Sequence, residues 1–375
     1  MTVDTRPRAE TRSLGRLMLM RAVTTLQALA FPVIATILAF SIGAVVILLS
    51  GQNPLEAYRA LLRGGFGSMS AWGRTLLNAT PLLLTGLAVA VPFRAGLFNI
   101  GGEGQLFIGA IAAAAVALLM PGPAPLVIIA AVVAATLGGL IWGGIPGALK
   151  SLGAHEVIVT IMLNFVAINL VYYLAQNPLS GEGQIPGTDM IGPEYRLAQF
   201  GAGLGRAHWG FALALVAALA AYLLIWRTTR GFAIRAVGLG PEAARYAGIP
   251  LGANGFLAIA VGGLFAGLGG GLEVLGVYGR VSVPFVTGLG FTGIGVALLG
   301  RNHPVGVVIG ALFFGGLAAG AQEMQFSAGV PLDLADVLLA IVLLFVTATK
   351  LVELILGRRA RSLAAGTKLE KGLAS

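Results

Sequence analysis

The sequence predicts an all-α integral membrane protein with about ten transmembrane helices and both termini on the cytoplasmic side. Of its 375 residues, 57% are hydrophobic and only 10% charged, whereas a soluble chain carries about 25% charged residues. The mean hydropathy is +0.91, so there is too little polar surface to coat a globule of this size in water. Apolar runs close to the ~20 residues needed to cross ~30 Å of hydrocarbon recur along the chain. They lack the two-residue alternation of a membrane barrel, which leaves helices.

In chain order, residues 1–27 carry Arg6, Arg8, Arg12, Arg16 and Arg21 with no long apolar run and cleavage site close behind. This segment reads as a basic cytoplasmic stretch and not as a cleaved signal peptide. Spans are expected at 28–50, 75–93, 100–120, 125–149 and 156–176. A second set is expected at 209–226, 251–275, 286–300, 304–321 and 332–352. The transmembrane domain is thus 28–352, followed by a cytoplasmic tail, 353–375. The segment 286–300 is short, and a broken or re-entrant helix is its alternative. The loop 177–208 is rich in Gly, Pro and polar residues and is placed outside. The loop 227–250 is placed inside, and within it Pro241 to Ala247 reads as a short helix with Pro at its first position. A solvated basic loop is the alternative there.

The frame is tested by the cations. With both termini inside, eighteen Lys and Arg residues lie on the cytoplasmic side. Only six, Arg59, Arg63, Arg74, Arg196, Arg206 and Arg280, lie outside. Shifting the frame by one span reverses this asymmetry, which is the one the positive-inside rule requires. The net charge of +9 therefore reports orientation in the bilayer, and no nucleic-acid partner is inferred from it.

Several chemistries are excluded. Cysteine is absent, which removes disulfides, thiolate nucleophiles and Cys-held metal centres. No Lys follows a Gly, so the common phosphate loop of an ATPase is missing. His155, His208 and His303 are scattered, and His155-Glu156 has no second His four residues beyond His155. No metal site is expected. Gly288, Gly290 and Gly293 have dinucleotide-fingerprint spacing but lie in an apolar span with no strand before it, so they read as helix packing.

Glycine is abundant, 56 residues, about twice the usual ~7%. Gly263, Gly267 and Gly271 fall four apart and form a stripe on which another backbone can approach closely. The same spacing joins Gly306 with Gly310 and Gly316 with Gly320. Static packing is the plainer reading of these stripes and a sliding surface the alternative. Acids at membrane depth are scarcer, because burying one costs about 2.5–3.5 kcal/mol on insertion scales. Glu103, Glu156, Glu273, Asp333 and Asp336 are the candidates. Glu103 opens a span in a Gly-rich polar entry, where a helix-start role competes with a functional one. Glu156 also reads as a helix-start acid, and Asp333 and Asp336 as caps. Glu273 is expected near the outer end of its span, within reach of water.

The stretch Pro81-Leu82-Leu83-Leu84-Thr85-Gly86-Leu87-Ala88, followed by Phe93 to Gln105 (FRAGLFNIGGEGQ), resembles the permease subunit of nucleoside-type ABC importers. These belong to the group that includes ribose and branched-chain amino acid permeases. The resemblance continues through Gly153 to Asn164, Arg235 to Gly238, Pro241 to Ala244, Gly248-Ile249 and Val296 to Asn302, covering roughly residues 75–350. It implies a bacterial-type cytoplasmic membrane location and a chain that holds no cofactor, ATP and Mg being bound by a partner ATPase subunit. It also implies pairing with a second related permease or with itself, and solute delivered by an extracellular binding protein.

On the same analogy 227–250 is the ATPase-coupling segment, with Arg235, Gly238, Pro241, Ala244 and Gly248 as its candidate residues. Small residues there would permit tight docking, and Arg235 would face acidic ATPase side chains. Nucleosides need hydrogen-bonding groups and an apolar or aromatic surface. From polarity at depth, Asn99, Glu103, Gln105 and Asn164, near Phe98 and Phe107, are the solute-path candidates. A simple-sugar permease is the nearest alternative. An ion-coupled secondary transporter, with the intramembrane acids as coupling sites, is a more distant one.

Overall fold

The computed structural model describes residues 37–331 except 183, 286 and 287, together with 334, 337, 338, 340, 341 and 344. The termini 1–27 and 353–375, the start of the first expected span, most of the last, Asp333 and Asp336 lie outside the described residues. By its contacts the chain divides into two units. Met1–Pro54 with Asp333–Ser375 is one, containing helix α1 (Ile37–Leu49), and Leu55–Leu332 is the other.

The second unit is helical almost throughout. Its elements are α2 (Pro54–Phe66), α3 (Met69–Arg94), α4 (Gly102–Leu119), α5 (Ala124–Ser151) and α6 (Glu156–Gln176). There follow α7 (Gly210–Arg227), α8 (Thr229–Leu239), α9 (Pro241–Tyr246), α10 (Leu251–Glu273), α11 (Leu289–Leu299) and α12 (Pro304–Ala328). Among the described residues, seven helices are long and apolar enough to cross a membrane, and an eighth if α1 and α2 together make one span. Helices α4 to α7 and α10 begin and end within about two residues of the expected spans, whereas α3 starts at Met69, ahead of the expected 75, and α12 runs on to Ala328, beyond the expected 321. The segment 286–300 differs. Helix α11 has 11 residues and rises only about 16 Å, half of the hydrocarbon thickness.

Two helices absent from the sequence expectation have simple causes. In α2 the buried positions Ala57, Ala60, Leu61, Gly64 and Gly65 repeat at helical spacing, but Glu56, Arg59 and Arg63 keep its average too polar for a hydropathy scan. In α8 Thr228 caps the start, its Oγ1 accepting from Gly231 N–H at 3.0 Å. Gly231, Ile234 and Val237 are the buried stripe behind it.

Helices α3 and α10 form the hub, with α4, α5, α11 and α12 packed around them. Burial is inverted relative to a soluble protein on the outer helices. Ile129, Val133 and Ile141 of α5, Ile158, Met162 and Phe165 of α6, and Val216 and Leu219 of α7 are exposed apolar side chains, the surface a bilayer covers. Phe107 is fully buried, wedged between Tyr172 and Phe285 with ring centroids at 6.1 and 5.4 Å. It belongs to the core and not to an open path.

Glu273 does not reach water. It is 5% exposed, because α10 continues as a π-turn, Val274–Tyr278, and the loop 177–208 folds over that end. Leu197 N–H donates to Leu275 O at 3.0 Å, Ile191 N–H to Gly279 O at 2.8 Å and Arg206 Nη2 to Val277 O at 2.9 Å. His208 locks the same cover. Its Nδ1 accepts from Gly210 N–H at 3.1 Å, and its Nε2 has no partner among the described residues. Burial pushes its pKa down from 6.5 to about 4. Between those values the unfolded loop binds a proton that the folded loop refuses. The stabilisation is therefore complete above about pH 6.5 and is lost as pH falls towards 4. Protease protection of 177–208 should fall across that window and, in His208→Asn, should lose that pH dependence. An unaltered profile in the variant would assign the acid sensitivity to another group.

Candidate functional site

Residues Asn99 to Gly101 make a polar turn that leads into Gly102 to Gln105, the first turn of α4, and the side chains of Asn99, Glu103 and Gln105 are buried. Asn99 Nδ2 donates to Ala88 O at 3.1 Å and to Gln105 Oε1 at 3.0 Å, while Asn99 Oδ1 accepts from Gly101 N–H at 3.0 Å. Asn164 of α6 clamps the turn from the other side. Its Oδ1 accepts from Gly104 N–H at 2.8 Å and its Nδ2 donates to Ile100 O at 2.9 Å. Such side-chain bonds are what a non-helical backbone needs at membrane depth, where no water substitutes for them.

Glu103 reaches out of this turn to the half-span. Its two carboxylate oxygens accept from Gly288 N–H at 2.6 Å and Gly290 N–H at 2.7 Å, at the start of α11. The free amides and positive dipole end of a helix favour an anion there. Glu103 also opens α4, so one carboxylate serves two helix starts. The approach is possible because Gly290 has no side chain, since a Cβ there would overlap the backbone of Glu103. Gly293 lies similarly against Thr85, so these two of the fingerprint-like glycines are packing surfaces, whereas Gly288 has nothing within 4 Å of a Cβ and serves the chain by its left-handed φ of +92° ahead of α11. The four path candidates Asn99, Glu103, Gln105 and Asn164 thus form one cluster, 3% exposed or less, whose polar atoms hold backbone and one another.

The Gly263, Gly267 and Gly271 stripe faces α5. A Cβ on Gly263 would overlap Gly139 O, one on Gly267 Ala135 O, and one on Gly271 the methyl of Ala135. The helices run antiparallel with backbone against backbone. Lys150 and Glu156, across the α5–α6 turn, form an ion pair at 2.7 Å.

The segment 227–250 folds as the helix pair α8–α9. Gly238 lies against the end of α3, where a Cβ would overlap Arg94 O. Pro241 opens α9 and Ala244 is buried beneath it. Gly248 closes α9 with φ +76°, the left-handed position that suits glycine. The smallness of Gly238 and Ala244 is therefore used inside the chain. Arg235 is not at the tip either. Its guanidinium carbon lies 6.0 Å from the centre of the Trp226 ring. Outward stand Leu239, 90% exposed, and Tyr246, 93% exposed, two residues that the sequence reading passed over. A cavity of about 470 Å³ opens between this pair and the helix ends, lined among others by Gly96, Lys150, Gly238 and Pro241.

Among the described residues, seven long apolar helices seamed by glycines, with a short apolar helix held among them by a carboxylate, make a multi-pass membrane protein. The chain belongs to the family described as branched-chain amino acid transport system / permease component, whose model matches residues 72–347. It is 40% identical to the guanosine ABC transporter permease protein NupP of Bacillus subtilis, over 90% of this chain and 98% of the relative. It is 36% identical to the glucose ABC transporter permease protein of Haloferax volcanii, over 87% and 88%. It is 34% identical to the nucleoside ABC transporter permease protein NupB of Lactococcus lactis, over 91% and 96%.

Proposed function

We propose that this chain is the transmembrane subunit of an ATP-driven importer that moves nucleosides across the cytoplasmic membrane. In this reading separate ATPase subunits hold ATP and Mg, an extracellular binding protein delivers solute, and a second permease or a second copy completes the path. The likeness over almost the whole chain to relatives named for guanosine and nucleoside transport carries it. Ten spans with both termini inside remain part of the proposal, supported by the eighteen-to-six distribution of cations.

The α8–α9 pair is the coupling element. Gly238, Pro241, Ala244 and Gly248 shape it, and Leu239 and Tyr246 are the apolar contacts it offers to a groove on the ATPase. Asn99, Glu103, Gln105 and Asn164 act on the solute path indirectly, by holding the turn and the start of α11 that shape it, since their own polar atoms are buried and bonded within the chain. Replacing both Leu239 and Tyr246 by Ala should cut uptake at least about fivefold, since buried aromatic and aliphatic anchors dominate such interfaces. Surface level should be unchanged, because both side chains are exposed. Full uptake and full ATPase recovery in that variant would sink the assignment.

The proposal is tested by recovering a tagged copy from its membrane in mild detergent and identifying its partners by mass spectrometry, with uptake of labelled guanosine measured alongside. An ATPase and a related permease, with uptake abolished by ATP depletion and not by collapse of the ion gradient, are expected. Repeated recovery of the chain alone with gradient-driven uptake would favour a secondary transporter. A simple-sugar permease is the second reading, favoured by the Haloferax glucose relative. Competition of guanosine uptake by excess glucose separates the two.

A further inference from the structure

The ends of α3 and α7, the middle of α8 and the start of α12 meet on one face of the membrane unit and build a cationic aromatic cluster there. Trp226 stacks on Tyr222 with centroids 5.7 Å apart and lies 4.6 Å from the His303 ring. Arg94 stands 5.1 Å and Arg235 6.0 Å from the Trp226 ring centre. Arg94 also donates through Nε and Nη2 to the carbonyls of Asn302 and Arg301, both at 2.9 Å. Arg235 Nε is buried and has no partner among the described residues.

Neither arginine has an ion-pair partner among the described residues. The sequence explains why, since no Asp or Glu occurs between Glu56 and Glu103, between Glu194 and Glu242, or between Glu273 and Glu323. Two guanidinium groups on one indole, unneutralised by the elements that carry them, are an arrangement that an external anion completes. Directly beside them lies an apolar groove of about 340 Å³ between α7 and α12. Leu215, Leu219 and Tyr222 form one wall, and Pro304, Val305 and Val308 the other. The groove is apolar along its length and cationic at the end where the helices leave the bilayer.

We infer that this groove and cluster bind one anionic phospholipid, with an acyl chain along α7–α12 and the phosphate at Arg94 and Arg235 over Trp226. A lipid is the occupant that this charge pattern fits, because it joins an apolar tail to an anion at the depth of the interface. A second protein helix would fill the groove and leave the cations unpaired.

The test is native mass spectrometry of the delipidated permease titrated with phosphatidylglycerol and with phosphatidylcholine of the same chains. One phosphatidylglycerol should bind saturably and at least about fivefold tighter than phosphatidylcholine. Arg235→Gln should remove the discrimination, and Val305→Trp, which fills the groove, should weaken both lipids. Brominated phosphatidylglycerol should quench a saturable component of the fluorescence that is lost in Trp226→Phe, while the non-saturable quenching of the exposed Trp72 and Trp209 remains, which keeps the test independent of whether a charge variant folds. Equal binding of the two lipids by the wild type, or a saturable component that is unchanged in Trp226→Phe, would overturn the inference. So would loss of a co-purified permease in Val305→Trp with lipid binding unchanged.

Discussion

Glu103→Gln is expected to lower uptake more than about tenfold while the chain still reaches the membrane. The carboxylate spends one oxygen on Gly288 N–H and the other on Gly290 N–H. An amide keeps only one acceptor, so its NH2 must face a backbone N–H across the same short gap. One charge-assisted bond is lost, worth roughly 1.5–3 kcal/mol, together with the favourable charge at a helix start. About 2 kcal/mol is a factor of roughly 30 in the equilibrium between seated and unseated α11. Insertion should survive, since α4 is otherwise apolar and Gln is tolerated at a helix start. A half-span has no second membrane surface to hold it, so its position depends on this bond and on the glycine contacts behind it. Uptake and surface expression both at the wild-type level would remove Glu103 from the mechanism.

The same residue illustrates how far the sequence was legible. Glu103 stood out because an acid at membrane depth is costly, and its helix-start reading named the right physics but only one of the two helices it serves. That its oxygens cap α11, 185 residues away, depends on tertiary packing that no local pattern encodes. The long spans were legible because lipid imposes length and polarity on them directly. Helix α2 was not, because all but Leu61 of its buried stripe are Ala or Gly, which add little hydropathy, and its charged residues are exposed. The burial of Glu273 escaped for a related reason. Its cover comes from a polar loop that bonds through its backbone to Leu275 and Gly279 and through the Arg206 side chain to Val277, and loop composition says nothing about where a loop folds back. Arg235 was singled out by resemblance, but its place beside Trp226 and Arg94 follows from the middle of α8 lying against the ends of α3 and α7.

The largest stability effect is expected in the α5–α10 seam, where two glycines of α5, Gly139 and Gly144, should behave in opposite ways. A Cβ on Gly139 would overlap Gly263 O, and one on Gly143 would lie 2.9 Å from both Gly263 Cα and Ile259 O. Backbone cannot swing aside as a side chain can, so the helices must separate and lose contacts along their length. Gly139→Ala should therefore destabilise by several kcal/mol, about the cost of severe overpacking, and Gly139→Leu should prevent folding. Gly144 is one residue beyond Gly143, yet a Cβ there meets only the Phe256 ring at 3.6 Å, ordinary contact. Gly144→Ala should be neutral or stabilising by up to ~1 kcal/mol, the helix-propensity gain over glycine. Thermal unfolding of the purified permease checks both, and equal midpoints for the two variants would show that the seam is not tightly closed. The pair also separates the two readings of the stripe. A static seam loses stability first, with uptake falling only as folded protein falls. A sliding surface would leave Gly139→Ala folded and stable but deprive it of transport, because the blocked position would be one that the helices must pass through.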